Sequence, residues 1–122
     1  MNLLESEGRR IMDKLKEIGG LKSIGRGWQE GETRLPCAVV QMSGERAAVF
    51  SDDREYLTEV TAYVRLYAQN AGELESLGKL IREKMTEMKY QREFAWEDGS
   101  GHALGLVERY KTWMTNNGKD ED

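Results

Sequence analysis

The sequence has only one cysteine, one proline and one histidine, and it has no long apolar segment. A single cysteine, Cys37, excludes an intrachain disulfide and leaves no second thiol for a zinc cluster, which favours a reducing compartment. No stretch approaches the roughly 20 consecutive apolar residues of a membrane-spanning helix, and residues 1–20 lack the apolar run of a signal peptide. We therefore expect a protein that stays inside the cell that makes it and has no membrane partner.

Positive charge is also not in excess. The 122 residues include 18 Lys and Arg against 22 Asp and Glu, a formal net charge of -4. This balance argues against direct nucleic-acid recognition, because such binding relies on Lys and Arg neutralising phosphates. The length suits one core, and the 39% of hydrophobic residues suffices to build it. We expect one domain over residues 1–114 and a disordered polar tail over residues 115–122.

Two segments have apolar residues at helical spacing. In the first, Asn2 precedes the repeat as a cap, with Glu5 three residues later, and Gly19 follows it. In the second, Asn70 and Glu73 form the cap. The repeats are Leu4, Gly8, Ile11, Leu15 and Ile18, and then Leu74, Leu77, Ile81, Met85 and Met88. Each pattern predicts an amphipathic helix.

The remaining segments alternate with the period of strands. We expect a strand over residues 21–28, a second one that opens at Pro36, a turn at residues 43–45, and a long strand from Tyr56. One face of the long strand is apolar, and the other carries Glu59, Thr61, Tyr63, Arg65 and Tyr67. A hairpin follows the second helix, with Tyr90, Arg92, Phe94 and Trp96 predicted on one side of its first strand. This order predicts an α+β fold, a mostly antiparallel sheet with both helices on one face.

The acidic cluster formed by Asp52, Asp53 and Glu55 is the densest carboxylate group before the tail. Its spacing does not match a calcium loop, which needs alternating oxygen ligands, a central glycine and a distal glutamate, and Arg54 supplies a local counter-charge. We interpret the cluster as a solvated turn or interaction loop. His102 has no evident orienting partner, and the glycine-rich segments lack the pattern of a phosphate loop. We therefore expect no catalytic residue, no cofactor and no metal.

The polar face of the long strand combines Tyr63 and Tyr67 with Arg65, a mixture that is enriched at protein interfaces. This mixture indicates a protein partner.

Residues 35–114 resemble the small tail-terminator (tail-completion) proteins of long-tailed bacteriophages and prophages. The likeness lies in the order of the elements and in a few residues within them. These residues are Pro36, Val39, Val40, Phe50, Asp52, Asp53, Glu55, Tyr56, Tyr67, Ala68, the helix over residues 74–88, Tyr90, Arg92, Asp98, Gly99, His102, Arg109 and Tyr110.

The resemblance implies a structural protein that forms a ring, of six subunits, on the end of the tail tube. Such a ring ends tube polymerisation and joins the head-side connector, so the implied partners are other copies of the chain, the tail-tube protein and the head-tail connector protein. The protein would assemble in the bacterial cytoplasm and then occupy the head-proximal end of the virion tail.

A ring needs two different patches that meet head to tail. We expect them in the region of residues 43–56 and on the polar face of the long strand. The candidate interface residues are Arg46, Ser51, Asp52, Asp53, Arg54, Glu55, Glu59, Tyr63 and Arg65. Three alternatives stay open: another head-tail connector or neck protein, a cytoplasmic α+β module that binds a protein or small ligand, and an enzyme that uses the acidic cluster with His102.

Overall fold

The computed structural model describes residues 2–26, 34–49, 56–98 and 103–115. Within these ranges, two helices and five strands follow one another. They are α1 (Leu3–Leu15), β1 (Ser23–Arg26), β2 (Cys37–Val49), β3 (Tyr56–Ala68), α2 (Ala71–Glu87), β4 (Gln91–Asp98) and β5 (Leu104–Thr115).

The strands form one sheet in the order β1-β2-β3-β5-β4. Only β1 and β2 run parallel, and the other three neighbouring pairs are antiparallel. Both helices contribute to a core that lies on one face of the sheet, since Ile11 of α1 and Ile81 of α2 share a cluster with Val64 of β3. The predicted α+β fold is therefore confirmed.

Both helices begin as their capping residues predict. The Asn2 side chain accepts a hydrogen bond of 2.8 Å from the Glu5 N–H, and the Asn70 side chain accepts one of 2.8 Å from the Glu73 N–H. Glu73 also accepts a bond of 2.9 Å from the Gln69 N–H, which completes a reciprocal cap. Among the described residues, neither helix is both long and apolar enough to cross a membrane.

The core is built by the apolar faces that the spacing predicts. Ile11, Leu15, Ile81 and Met85 are at most 1% exposed. Burying a side chain of this size stabilises a fold by about 1.5–3 kcal/mol. The sheet residues of the same cluster are Val40, Ala62, Val64, Leu66 and Tyr110, and Tyr90, just before β4, also belongs to it.

The predicted turn at residues 43–45 is wrong. The chain passes through this segment within β2, which pairs with β3 from Cys37 to Val49, and the local irregularity is a β-bulge between Met42 and Gly44. A bulge accommodates one extra residue and bends the strand without reversing it, which explains why turn-forming residues occur here. Residues 50–55, which connect β2 to β3, lie outside the described part of the chain.

The predicted alternation along β4 is also interrupted by a bulge. Arg92 lies opposite Tyr110, whereas Phe94 lies opposite Arg109, and those neighbours on β5 point to opposite faces. Arg92 therefore faces the helices, while Phe94 and Trp96 face away from them. The first strand is shorter than predicted within the described residues, and β5 ends at Thr115, one residue past the expected domain boundary. The predicted tail begins at residue 115, which lies in β5, and its residues 116–122 lie outside the described residues.

Gly105 is required where β5 passes under Tyr67. A Cβ atom at this position would overlap the carbonyl oxygen of Asp98 and lie 2.9 Å from the Tyr67 ring. The missing side chain thus lets the start of β5 pack closely between its two neighbouring strands.

Candidate interaction surface

The sheet face opposite α1 and α2, here called the open face, carries no helix among the described residues. The polar side of β3 lies at its centre, flanked by β2 on one side and by β5 and β4 on the other. The register of the strands places these polar or aromatic residues on it: Arg46, Glu59, Thr61, Tyr63, Arg65, Tyr67, Phe94, Trp96, Asp98, Arg109, Lys111 and Trp113.

Five charged residues of alternating sign run across the open face from β2 to β4. Glu59 lies between two cations, 3.0 Å from Arg46 Nη2 and 3.3 Å from Lys111 Nζ. Glu93, in the β4 bulge, lies 3.0 Å from the same Lys111 Nζ and 2.9 Å from Arg109 Nε. The Arg109 contact is an ion pair and not a hydrogen bond, because its Nε has no hydrogen-bond partner. We call this series, Arg46–Glu59–Lys111–Glu93–Arg109, the charge ladder.

Lys111 is the centre of the charge ladder. Its ammonium group lies between two carboxylates, and its side chain is only 15% exposed. The hydrogen bond to Glu93 is the main cause of a raised pKa of Lys111, opposed by partial burial and reinforced by Glu59. The protonated form of Lys111 is therefore favoured in the folded protein.

Aromatic side chains lie beside the charge ladder at the β4 edge. The Phe94 and Trp96 rings stack with their centroids 5.3 Å apart, and Trp96 meets the Tyr63 ring edge-on at 6.2 Å. The Arg109 guanidinium lies 5.6 Å from the Phe94 centroid and 5.9 Å from the Tyr63 centroid. Phe94 and Trp96 nevertheless remain 47% and 40% exposed. Exposed aromatic residues next to arginine are typical of protein interfaces.

A shallow cleft of about 240 Å³ opens on the same face. Its walls carry charges of both signs, and Arg46, Glu59 and Lys111 are already engaged in the charge ladder. Small-molecule sites are typically concave and mostly apolar with a few polar groups. The composition of this cleft fits a contact surface better than a small-ligand pocket.

Four of the predicted interface residues lie on the open face. The structure joins Arg46 to Glu59 across β2 and β3, and it places Tyr63 against Trp96 and Arg109. Arg65 lies two residues from Tyr63 on the same face, opposite Val39 and Val107. The predicted residues Ser51, Asp52, Asp53, Arg54 and Glu55 lie outside the described residues, as does His102.

Sequence reasoning did not identify the β4 and β5 half of this surface. Glu93, Arg109 and Lys111 complete the charge ladder, but their partners are distant in sequence and meet only through the strand order. Alternation along β5 was available as a signal for Arg109 and Lys111. The bulge in β4 interrupts the alternation, so the sequence pattern does not show on which face of the sheet Glu93 and Phe94 lie.

On the covered face, Glu108 is a buried carboxylate that belongs to the architecture of the fold. It is 2% exposed, accepts a 2.7 Å hydrogen bond from the Tyr110 O–H, and lies 3.3 Å from Arg82 and 3.1 Å from Arg92. Burial, followed by the nearby Glu108 carboxylate, raises the pKa of Tyr110. The group is fully partnered, so it ties α2 and β4 to β5.

Glu7 repeats this arrangement under α1. Its carboxylate pairs with Arg10 at 2.9 Å and accepts a 2.7 Å hydrogen bond from the Tyr90 O–H. Burial is the main cause of a raised pKa of Tyr90, and the hydrogen bond to Glu7 adds to it. This contact fastens the first helix to the segment between α2 and β4.

Within the described residues, no group of three or more His, Cys, Asp or Glu side chains could hold a metal ion. No protein-family model matches the chain, and no curated protein matches it.

Proposed function

We propose that this chain is a tail-terminator protein of a long-tailed bacteriophage or prophage. In this role it forms a ring, of six subunits, on the end of the tail tube, ends tube polymerisation and offers the surface to which the head-side connector joins. The role is structural, so we expect neither a catalysed reaction nor a cofactor. The protein would act in the bacterial cytoplasm during assembly and then at the head-proximal end of the virion tail.

The open face is the observation that carries the proposal. A sheet face in a domain of this size is normally covered or evenly polar, whereas this one carries Phe94, Trp96 and Trp113 at 40–47% exposure. Beside them lies the charge ladder, whose members are drawn from four strands. A protein surface of complementary shape would bury both features together. The resemblance of residues 35–114 to tail terminators supplies the identity of that partner.

A ring requires two different patches on each subunit. We propose that the first is the part of the open face on β2 and β3, with Arg46, Glu59, Tyr63 and Arg65. The second is the segment between these strands, with Ser51, Asp52, Asp53, Arg54 and Glu55. The acidic composition of this segment suits it to meet cations of a neighbouring subunit such as Arg46 and Arg65.

Negative-stain microscopy of the protein, alone and mixed with its tail-tube protein, tests the proposal. We expect rings, or tubes that stop at one defined length. Tyr63→Ala combined with Arg65→Glu should abolish both, whereas Asp13→Asn, on the outer side of α1, should change neither. Tubes that grow without limit in the presence of the wild-type protein would contradict the proposal. Binding to a head-side connector without any effect on tube length would assign the chain to the other neck proteins.

A further inference from the structure

The β4 edge of the sheet is separate from the two patches that a ring needs. Within the described residues, β4 is the last strand of the sheet and only β5 pairs with it. Residues 91–97 are all exposed, including the apolar side chains of Phe94 and Trp96. An exposed strand edge offers unpaired backbone groups to another strand.

We propose that β4 pairs antiparallel with β4 of a second copy of this chain, about a two-fold axis at Ala95. In this arrangement each residue of one copy faces a residue of the other at the same distance from Ala95, on the same side of the sheet. Phe94 then lies opposite the second copy's Trp96, on the open face. The stacked aromatic pair of each copy becomes one cluster of four rings.

The β4 bulge sets the register of the charged residues. In a regular strand, Glu93 would lie on the same side as Ala95, two residues later. Because Glu93 is instead the extra residue of the bulge, the residue before Ala95 that lies on the helix side is Arg92. Glu97 also lies on the helix side, opposite Leu106 of β5. The two-fold pairing therefore brings Arg92 opposite the second copy's Glu97, twice in each dimer.

The charges of β4 favour a second copy in this orientation. Glu93 is neutralised within its own chain by Lys111 and Arg109, so it does not repel an incoming strand. Arg92 uses Nη1 to contact Glu108 and remains 44% exposed, which leaves other N–H donors of its guanidinium for a partner. The exposed positive charge of Arg92 thus lies near the start of β4, and the negative charge of Glu97 lies near its end. A parallel copy would place like charges together.

The contact closes with two copies, so it does not rest on the proposed ring and cannot itself produce one. Disulfide trapping tests it, in a Cys37→Ala background that removes the native thiol. Ala95→Cys brings two thiols to the axis, where the Cα atoms of facing residues are about 4.5–5.5 Å apart, within the range of a disulfide. The matched control is Gln91→Cys, equally exposed on the same strand but roughly 20 Å from its counterpart in this register.

We expect the Ala95→Cys protein to form a covalent dimer on mild oxidation on the order of tenfold faster than the Gln91→Cys protein, because the reactive groups are held together. Glu97→Arg, added to Ala95→Cys, should slow this reaction about tenfold by placing two arginines together at each end of the contact. Asp13→Arg, the same change of charge on α1, should leave the rate unchanged.

Sedimentation equilibrium of the wild-type protein gives a second measurement that needs no variant. We expect reversible pairing of two copies at high protein concentration, weakened about tenfold by Glu97→Arg. A strict monomer, or equal cross-linking rates for Ala95→Cys and Gln91→Cys, would overturn the inference. If rings form on the tube but the two cross-linking rates are equal, the β4 contact is overturned and the proposed function stands. If Ala95→Cys cross-links fast but tubes grow without limit, the contact stands and the proposed function is overturned.

Discussion

The two faces of the sheet differ in how they hold their polar groups. On the covered face, Glu7 and Glu108 are buried singly among apolar side chains. Glu7 is satisfied by one arginine and a tyrosine hydroxyl, and Glu108 by two arginines and a tyrosine hydroxyl. On the open face, charges of both signs alternate across four strands in the charge ladder and the neighbouring aromatic rings remain exposed. Apolar burial supplies most of the favourable free energy of folding, and removing one partner of a buried charge is costly, so we expect the covered face to determine stability.

Truncating a core side chain should show the largest difference between the two faces in their contribution to the free energy of unfolding. Ile81→Ala removes a side chain that is 1% exposed at the centre of the core, and we expect it to lower the free energy of unfolding by about 2–5 kcal/mol. Phe94→Ala removes a larger side chain, but one that is 47% exposed, and should cost less than about 1.5 kcal/mol. Urea denaturation followed by circular dichroism measures both. Equal losses would show that the open face is also part of the core.

A buried carboxylate should matter more than an exposed one of the same type. Glu108→Ala leaves the Tyr110 hydroxyl without its acceptor, and we expect a loss of about 2–3 kcal/mol in the free energy of unfolding. Arg82 and Arg92 moderate this loss, because their side chains are 37% and 44% exposed and can turn to water. Glu59→Ala, on the open face, should cost less than about 1 kcal/mol. Urea denaturation of the two variants compares them, and a Glu59→Ala loss as large as that of Glu108→Ala would reverse the comparison.

Alkaline pH should weaken the covered face through its two tyrosines. The pKa values of Tyr90 and Tyr110 are raised in the folded protein, so their neutral forms are retained there after the unfolded chain has lost its phenolic protons. Their contribution is complete below the unfolded tyrosine pKa, about 10, and declines above it by up to about 1.4 kcal/mol per pH unit for each tyrosine.

The free energy of unfolding, measured in urea from pH 8 to pH 11.5, should therefore fall above about pH 10. Tyr90→Phe should be less stable than wild type at pH 8 but lose less stability as the pH rises. An unchanged slope in Tyr90→Phe would show that its phenol is not the titrating group.

The apolar part of the covered face could be predicted from the sequence, whereas the buried Glu7 and Glu108 could not. The helical spacing of Ile11, Leu15, Ile81 and Met85 identified the buried sides of both helices, and the alternation along β3 identified its apolar side. These patterns are reliable because burying a side chain is a local property of its position in a periodic element.

The open face could be predicted only in part. Tyr63 and Arg65 follow from the alternation along β3, but the charge ladder depends on which strands become neighbours, which local periodicity does not contain. The bulges at residues 42–44 and 92–94 shift the alternation by one residue. Residues 43–45 therefore resemble a turn in the sequence, and Arg92 falls in the same alternating set as Phe94 and Trp96 although it faces the helices. The composition of a bulge does not distinguish it from a turn, and its position is set by pairing with the neighbouring strand.

The smallest expected effect concerns the outer end of the charge ladder. Arg46 and Glu59 lie 3.0 Å apart, but the Arg46 side chain is 75% exposed, so solvent and salt screen the pair. A double-mutant cycle with Arg46→Ala, Glu59→Ala and the double variant should give a coupling free energy of about 0.2–1 kcal/mol in dilute buffer. The contribution of the contact between Glu59 and Lys111 cancels in this cycle, because both variants that lack Glu59 lose that contact equally. In 1 M salt the coupling should vanish, since the screening length is then about 3 Å. A coupling above about 2 kcal/mol that persists in salt would mean that this end of the open face is held as firmly as Glu108 on the covered face.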